Sequence, residues 1–378
     1  MKDSVHPGIS IVVPTFGRVD LLLKLLDSLK SAQEAYEGAS EVILADASQD
    51  DVGKRVRDLA ERFDARYISS YKGVSAQRNA GVRAVRFSWI LFIDSDCIVQ
   101  KGILEDYAQQ LSMKRSAVNT VVLIGVIRFE KCTTLGWRAV TRTPVISSFD
   151  RAIRLDNPVW GVTANMMVQK IAFEKTGGFD ESFVRPGGED VDFCLRLRAK
   201  GFNLSTSRNA VVIHTSESWD TLGKNMRRYW AYGTADITLI EKLPDYIRLD
   251  LPTPVLHLTL VTAITGLYAF AIGGISFAAI FVWICVYLSI VLWRRMSADG
   301  FRLKMSTIAE FILGEFLMAV LDAGRICTGL LKGRLSILWE RFAFDVDEES
   351  VGWSDIVLSQ TAAWFAWIVI AIFLLLLT

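Results

Sequence analysis

Residues Ile90-Leu91-Phe92-Ile93-Asp94-Ser95-Asp96 constrain the fold more than any other stretch of the chain. Four large apolar residues run directly into two carboxylates spaced one residue apart. An apolar run without polar alternation reads as a strand buried on both faces, the kind a parallel sheet makes. The acids then fall at or just past its carboxyl end, where open α/β sheets bind ligands. If strand geometry persists, Asp94 and Asp96 share one face. Two converging carboxylates call for a cation, and oxygen ligands suit Mg²⁺ or Mn²⁺, which commonly also take oxygens from a phosphate. The competing reading is a solvated turn, because Asp is ordinary turn chemistry.

The preceding residues decide what surrounds this strand. Ile9 to Pro14 reads as a strand ended by proline, followed by the loop Thr15 to Arg18. Asp20 then stands as a cap for a helix whose leucines 21, 22, 25, 26 and 29 recur at helical spacing. Val42 to Ala45 is a second strand, ending at Asp46, with Asp50 or Asp51 as cap of the next helix. A short strand near Arg66 to Ile68 precedes a helix opened by Ser75-Ala76-Gln77-Arg78-Asn79-Ala80-Gly81. This alternation predicts βαβ units, a parallel sheet and polar loops gathered on one rim. Further on, strands are expected at Val121–Val126, Trp160–Val168 and Val211–His214, with a helix over Val191–Arg198. Residues 130–158 show no clean period.

Composition narrows the function classes. Forty-two Lys and Arg against 41 Asp and Glu leave a net charge of +1, which does not suggest a nucleic-acid binder. Five scattered cysteines without a CxxC pair indicate neither a zinc ribbon nor a disulfide framework, and fit reduced thiols facing a cytosol. No signal-peptide pattern precedes the first strand. The hydrophobicity is uneven: residues 254–272 and 275–293 are each apolar for 19 residues, and a third run, 362–377, reaches a comparable length with 357–361. Each is long enough to cross a hydrocarbon core of roughly 30 Å. Basic residues flank the first two runs in the positive-inside sense. The expected organisation is a cytoplasmic catalytic domain over 1–250, a transmembrane hairpin over 251–294, an amphipathic segment over 295–355 and a last span over 356–378. That makes the protein multi-pass in the inner or plasma membrane, with membrane lipid as a partner. The amphipathic stretch Met305 to Leu331 either lies on the membrane or packs on the catalytic domain.

Seven short motifs in order carry a resemblance: Ile11 to Phe16, Leu44 to Asp50, Ala76 to Gly81, Phe92 to Asp96, Gly161 to Asn165, Gly177 to Glu181, and Gly188-Glu189-Asp190-Val191-Asp192. Together they resemble family 2 glycosyltransferases of the GT-A fold, over roughly residues 8–235. The resemblance implies an α/β, Rossmann-like, mostly parallel sheet. It implies that Pro14, Thr15, Phe16, Arg18 and Asp46 contact the nucleotide, and that Arg78 neutralises the pyrophosphate. It implies that Asp94 and Asp96 form the DxD motif holding Mn²⁺ or Mg²⁺ with the nucleotide sugar, a UDP-sugar being favoured. Family members often carry two acids where Ala45 and Asp46 stand, so the departure at Ala45 leaves the base open. His214 is the remaining candidate metal ligand, imidazole suiting Mn²⁺ better than Mg²⁺.

Glu189-Asp190 resembles the ED motif, with Asp190 as general base. A base is needed because a protonated sugar hydroxyl is a poor nucleophile. Asp190 opens a helix, where negative charge is favoured, so it is expected to stay ionised. Asp192 is read as either structural or acceptor-facing. Lys224, Arg227 and Arg228 either close over the diphosphate or meet the membrane. Asn225 to Tyr229 departs at both ends from the Gln-x-x-Arg-Trp signature of processive synthases, which points to transfer of one sugar. The function implied is inverting, metal-dependent transfer to a lipid-linked or glycan acceptor. The rivals are a processive polysaccharide synthase, a non-catalytic nucleotide-sugar-binding membrane subunit, and a nucleotidyltransferase.

Overall fold

A computed structural model describes residues 6–113, 120–183, 185–249 and 305–343. The described residues divide into two compact units. One lies within Met1–Cys132 and Val145–Ser218, the other within Thr133–Pro144 and Trp219–Thr378.

The first unit is α/β. Its strands are β1 (Ile9–Thr15), β2 (Ser40–Asp46), β3 (Arg66–Ser69), β4 (Trp89–Ile93), β5 (Cys97–Val99), β6 (Thr120–Phe129), β7 (Asn165–Gln169) and β8 (Asn203–His214). They form one sheet in the order β3-β2-β1-β4-β7-β6-β8-β5. β1 pairs in parallel with β2 and β4, β2 with β3, and β6 with β8, whereas β7 and β5 run against their neighbours. The sheet is thus mostly parallel. The chain winds outward from β1 through β2 to β3, then returns to β4 on the other flank of β1. This reversal is a topological switch point, the place where open α/β sheets bind ligands beyond the strand carboxyl ends.

Apolar runs explain the central strands. Ile90 to Ile93 and Ile11 to Val13 are fully buried. Proline does not end β1: Pro14 pairs with Ala45, and the strand runs to Thr15. β4 pairs with β1 only as far as Val12, so one flank of β1 is already unpaired where Pro14 stands. Helix α1 (Val19–Ala35) buries Leu22, Leu25, Leu26 and Leu29 on the sheet core. Its boundary residue is Arg18, without a side-chain cap, and Asp20 lies inside the first turn. In α2 (Asp50–Arg62) the boundary is Gln49, with Asp50 and Asp51 in the first turn. Both expected caps are therefore corrected to first-turn acids, a placement the helix dipole favours.

The remaining helices are α3 (Val74–Arg83), α4 (Ile103–Met113), α5 (Leu135–Val140), α6 (Pro144–Ser147), α7 (Arg151–Arg154), α8 (Lys170–Thr176), α9 (Glu189–Ala199), α10 (Leu222–Lys242) and α11 (Met305–Leu331). The aperiodic stretch 130–158 is thus built of short helical turns. α8 ends on Gly177 in the left-handed conformation, φ 86°, as a glycine stop should.

In the second unit α11 packs on α10 and α5, burying Phe311, Leu317, Leu321 and Ile326. The α10–α11 crossing is close. A Cβ on Gly233 would lie 1.9 Å from the Leu321 carbonyl oxygen, and one on Gly324 would lie 2.6 Å from that of Trp230. Buried charges on α11 are paired: Glu310 with Arg138 and Arg142, Asp322 with Arg325 and Arg341.

The expected multi-pass placement in an inner or plasma membrane is corrected. Among the described residues no helix is long and apolar enough to cross a membrane. The longest, α11, carries Glu310, Glu315, Asp322 and Arg325 along its length, and ionic groups oppose insertion into hydrocarbon. The apolar runs 254–272, 275–293 and 356–378 lie outside the described residues.

Candidate active site

The site is built on the first unit, at the carboxyl rim of β1, β2 and β4, and α3 organises it. Three consecutive α3 side chains each hold a different segment. Gln77 Nε2 donates to the carbonyls of Thr15 and Ala45 (2.6 and 3.1 Å), tying the ends of β1 and β2 together. Asn79 Nδ2 donates to the Phe179 carbonyl and Glu181, while its Oδ1 accepts from the Phe179 N–H. Arg78, between them, is 2% exposed and bridges two acids, Nη2 to Asp94 Oδ1 at 2.8 Å and Nη1 to Glu189 Oε1 at 2.9 Å. Gly81 lets the helix approach β1, since a Cβ there would sit 2.5 Å from Val12 Cγ1.

The expectation that Arg78 serves the pyrophosphate meets a different geometry: its charge is spent on Asp94 and Glu189. Burial alone would lower the Arg78 pKa, but the two carboxylates outweigh it and raise it. The guanidinium also lies over the Phe179 ring, centroid 5.4 Å away, among the packed rings of Phe92, Phe173, Phe179 and Phe193. Glu189 accepts a second bond from the Gly187 N–H at 2.6 Å. That loop needs Gly187 and Gly188, whose φ values are 126° and 89°.

Asp94 and Asp96 do not share a direction. β4 ends at Ile93 and the chain turns, so strand parity lapses. Asp94 goes to Arg78, while Asp96, 7% exposed, is held by Arg18 and faces His214, Nε2 to Oδ1 at 3.3 Å. The tautomer of His214 follows from its other contact. Nδ1 lies 2.8 Å from the Thr215 carbonyl, which only accepts, so Nδ1 carries the hydrogen. In the neutral imidazole Nε2 turns a lone pair toward a carboxylate, and two facing acceptors can share a proton or a divalent ion. The residues therefore fit a divalent ion. Cys97 lies in the same cluster, but burial, then the charges of Asp96 and Asp94, push its thiol well above its ordinary range. Asp96 and His214 are the better donors.

Asp190 stands in the first turn of α9, partly buried. Burial, then the Glu189 charge, push its carboxyl up to about 8, with Arg78 and the backbone N–H of Val191 opposing. The expectation of a readily ionised base is therefore corrected: desolvation and a neighbouring anion outweigh the helix terminus. Asp192 is structural, since it pairs with Arg196, which also donates to the carbonyls of Thr176 and Gly178.

On the nucleotide side, Asp46 is fully buried and accepts from Ser48 N–H, Ser48 Oγ and Tyr67 OH. Thr15 Oγ1 is buried with no hydrogen-bond partner among the described residues. Phe16 is half exposed, with the Lys72 ammonium 4.5 Å from its ring centroid. In the second unit, Lys224 pairs with Asp220 and Arg228 stacks on Trp219.

One site-lining residue escaped the sequence reading. Arg151 is buried, stacks on Trp160 at 4.4 Å and feels the Asp190 charge. Burial, then Arg154, push its pKa down to about 9, against Asp190. It sits in the aperiodic stretch, where no periodic signal marks it.

A mostly parallel sheet with its acids gathered near the switch point defines an α/β protein with a candidate ligand site on the carboxyl rim. Residues 6–233 match the family model described as "Glycosyltransferase like family 2", and the chain belongs to that family. The validoxylamine A glucosyltransferase of Streptomyces hygroscopicus subsp. jinggangensis is 27% identical over 54% of this chain and 54% of its own length. The hyaluronan synthase of Pasteurella multocida is 25% identical over 69% of this chain and 30% of its own. Rhamnosyltransferase WbbL of Escherichia coli K12 is 26% identical over 51% and 78%. The chain spans about half the length of the first of these relatives. Among solved structures, the mannosyltransferase PcManGT of Pyrobaculum calidifontis, in complex with GDP-Man and Mn²⁺, has a TM-score of 0.48. It is 16% identical, over 85% of this chain and 87% of its own.

Proposed function

We propose that this protein transfers one sugar from a nucleotide-sugar donor to a hydroxyl of a glycan acceptor, free or lipid-linked, by a single displacement that inverts the anomeric carbon. The observation that carries the reading is the pairing of a cation-seeking centre, Asp96 with His214, with a carboxylate of raised pKa, Asp190. Family membership supports the reading. Asp190 takes the acceptor proton as the hydroxyl attacks, and a pKa near the working pH favours that task. Asp96 and His214 would hold a divalent ion, Mn²⁺ or Mg²⁺, which would supply positive charge for the departing nucleoside diphosphate. The rim residues Pro14, Thr15, Phe16 and Asp46 receive the nucleoside. Asp46 is already engaged by Ser48 and Tyr67, so the base is left to a panel of UDP-, GDP- and dTDP-sugars.

A second reading is polymerisation, favoured by the similarity to a hyaluronan synthase. Product analysis separates the two. The first reading expects one added sugar, with its anomeric configuration opposite to the donor's by NMR. A ladder of products would favour the second, and retained configuration would overturn the single displacement.

A further inference from the structure

The Asp96 carboxylate already carries a cation, and that cation belongs to the chain. Arg18 Nη1 donates to Asp96 Oδ2, on the oxygen opposite the one that faces His214. The two partners differ in freedom. The Asp96 and His214 side chains are 7% and 8% exposed, whereas Arg18 is 45% exposed. Arg18 makes no capping bond at the start of α1, and it follows Gly17, whose φ is 79° and around which a Cβ would meet nothing within 4 Å. A long, half-exposed side chain on an open glycine loop therefore neutralises the most buried carboxylate of the DxD pair. Asp94 needs no such help, because Arg78 holds it permanently from within the core.

A guanidinium and a divalent ion repel each other at contact range, so Arg18 and the metal compete for Asp96. A nucleoside diphosphate changes that balance. Its phosphates offer Arg18 another anionic partner, one that planar guanidinium groups bind well. We propose that Arg18 is an exchangeable counter-ion of the metal site. It occupies Asp96 when no nucleotide is bound and passes to the diphosphate when a nucleotide arrives, freeing Asp96 for the metal. Metal and nucleotide then bind with positive coupling, and Arg18 is the element that couples them. The inference rests on the proposed metal-assisted, nucleotide-dependent function.

Calorimetric titration of the full chain with Mn²⁺ alone, UDP or GDP alone, and Mn²⁺ in the presence of each nucleotide tests it. Wild type, R18Q and R18K are compared, with thermal melts as the check on folding. In wild type, the nucleotide that binds should tighten Mn²⁺ by about tenfold or more, within the ordinary range of ligand coupling. R18Q should bind Mn²⁺ alone more tightly than wild type, by roughly fivefold or more, bind nucleotide more weakly, and show coupling close to one. R18K, which keeps the charge but not the planar fork, should retain the competition and fall between. The inference is overturned if R18Q binds Mn²⁺ alone no more tightly than wild type, or if its coupling is unchanged. Absence of Mn²⁺ binding to wild type and R18Q alike, with and without nucleotide, overturns the metal reading itself.

Discussion

Replacing Arg78 with methionine removes the cation that two carboxylates share at the heart of the first unit. Glu189 is 5% exposed at its side chain and Asp94 29%, so Glu189 is the one left with little water to replace its partner. Breaking a buried pair by removing one member typically costs ~3–5 kcal/mol, because a buried charge is left uncompensated. Asp94 can recover part of its hydration and Glu189 keeps its bond from the Gly187 N–H, which points to the lower end, ~3 kcal/mol. Hydrogen exchange at the amides of β4 and α3 reads this unit by itself. R78K should recover part of the loss, since an ammonium keeps the charge but cannot fork to both acids as a guanidinium does. Protection in R78M within about 0.5 kcal/mol of wild type at neutral pH, the scatter of a neutral surface change, would refute the idea that Arg78 ties Asp94 to Glu189.

Other outcomes follow from the same geometry. Asp190→Asn should retain donor binding while kcat for transfer falls by roughly 10²–10⁴, the usual share of a general base, as measured by nucleoside diphosphate release. The kcat/KM profile of wild type should rise with pH through about 8 as free Asp190 ionises. The stability effect runs the opposite way. A carboxyl raised from 3.8 to about 8 contributes stability that is complete below about 4 and is lost as pH rises through about 8, so Asp190→Asn should gain on wild type at alkaline pH in thermal melts. His214→Ala should weaken Mn²⁺ binding in calorimetry, and, because the imidazole is buried against Phe129 and Phe149, should also lower the melt in EDTA. Gly81→Ala forces a Cβ to 2.5 Å from Val12 Cγ1 and should cost about 1–3 kcal/mol by hydrogen exchange at α3 and β1.

The central strands were legible because their apolar runs are uninterrupted, and the acids at the end of β4 lay where such runs place them. Only the part of β8 from Val211 carries an apolar signal, although the strand begins at Asn203. Ser205, Thr206 and Ser207 are buried, and a polar run conceals a strand when its hydroxyls find partners elsewhere. Here Ser205 and Thr206 donate to the carbonyls of Asp156 and Leu155. The strand character around Asn165 is visible in sequence, but its role as a buried bridge donating to the Val126 and Ala210 carbonyls is not. The partners of Arg78 could not be read either. A motif marks a residue as important, but Glu189 lies 111 positions away, and only the fold brings the guanidinium between Glu189 and Asp94. Asp190 shows the limit of a local argument: the helix terminus and the neighbouring Glu189 are visible in sequence, while the burial that raises its carboxyl most arises from packing.

The most direct test is acceptor-dependent release of nucleoside diphosphate by wild type and Asp190→Asn side by side at pH 8.5, with Mn²⁺, a panel of UDP-, GDP- and dTDP-sugars, and a mixed glycan acceptor pool. The predicted result is release from one donor class by wild type, abolished by EDTA and nearly lost in Asp190→Asn, with that donor still bound by the variant. Equal release by both proteins, or donor binding without release in any combination, would contradict the assignment of this site to sugar transfer.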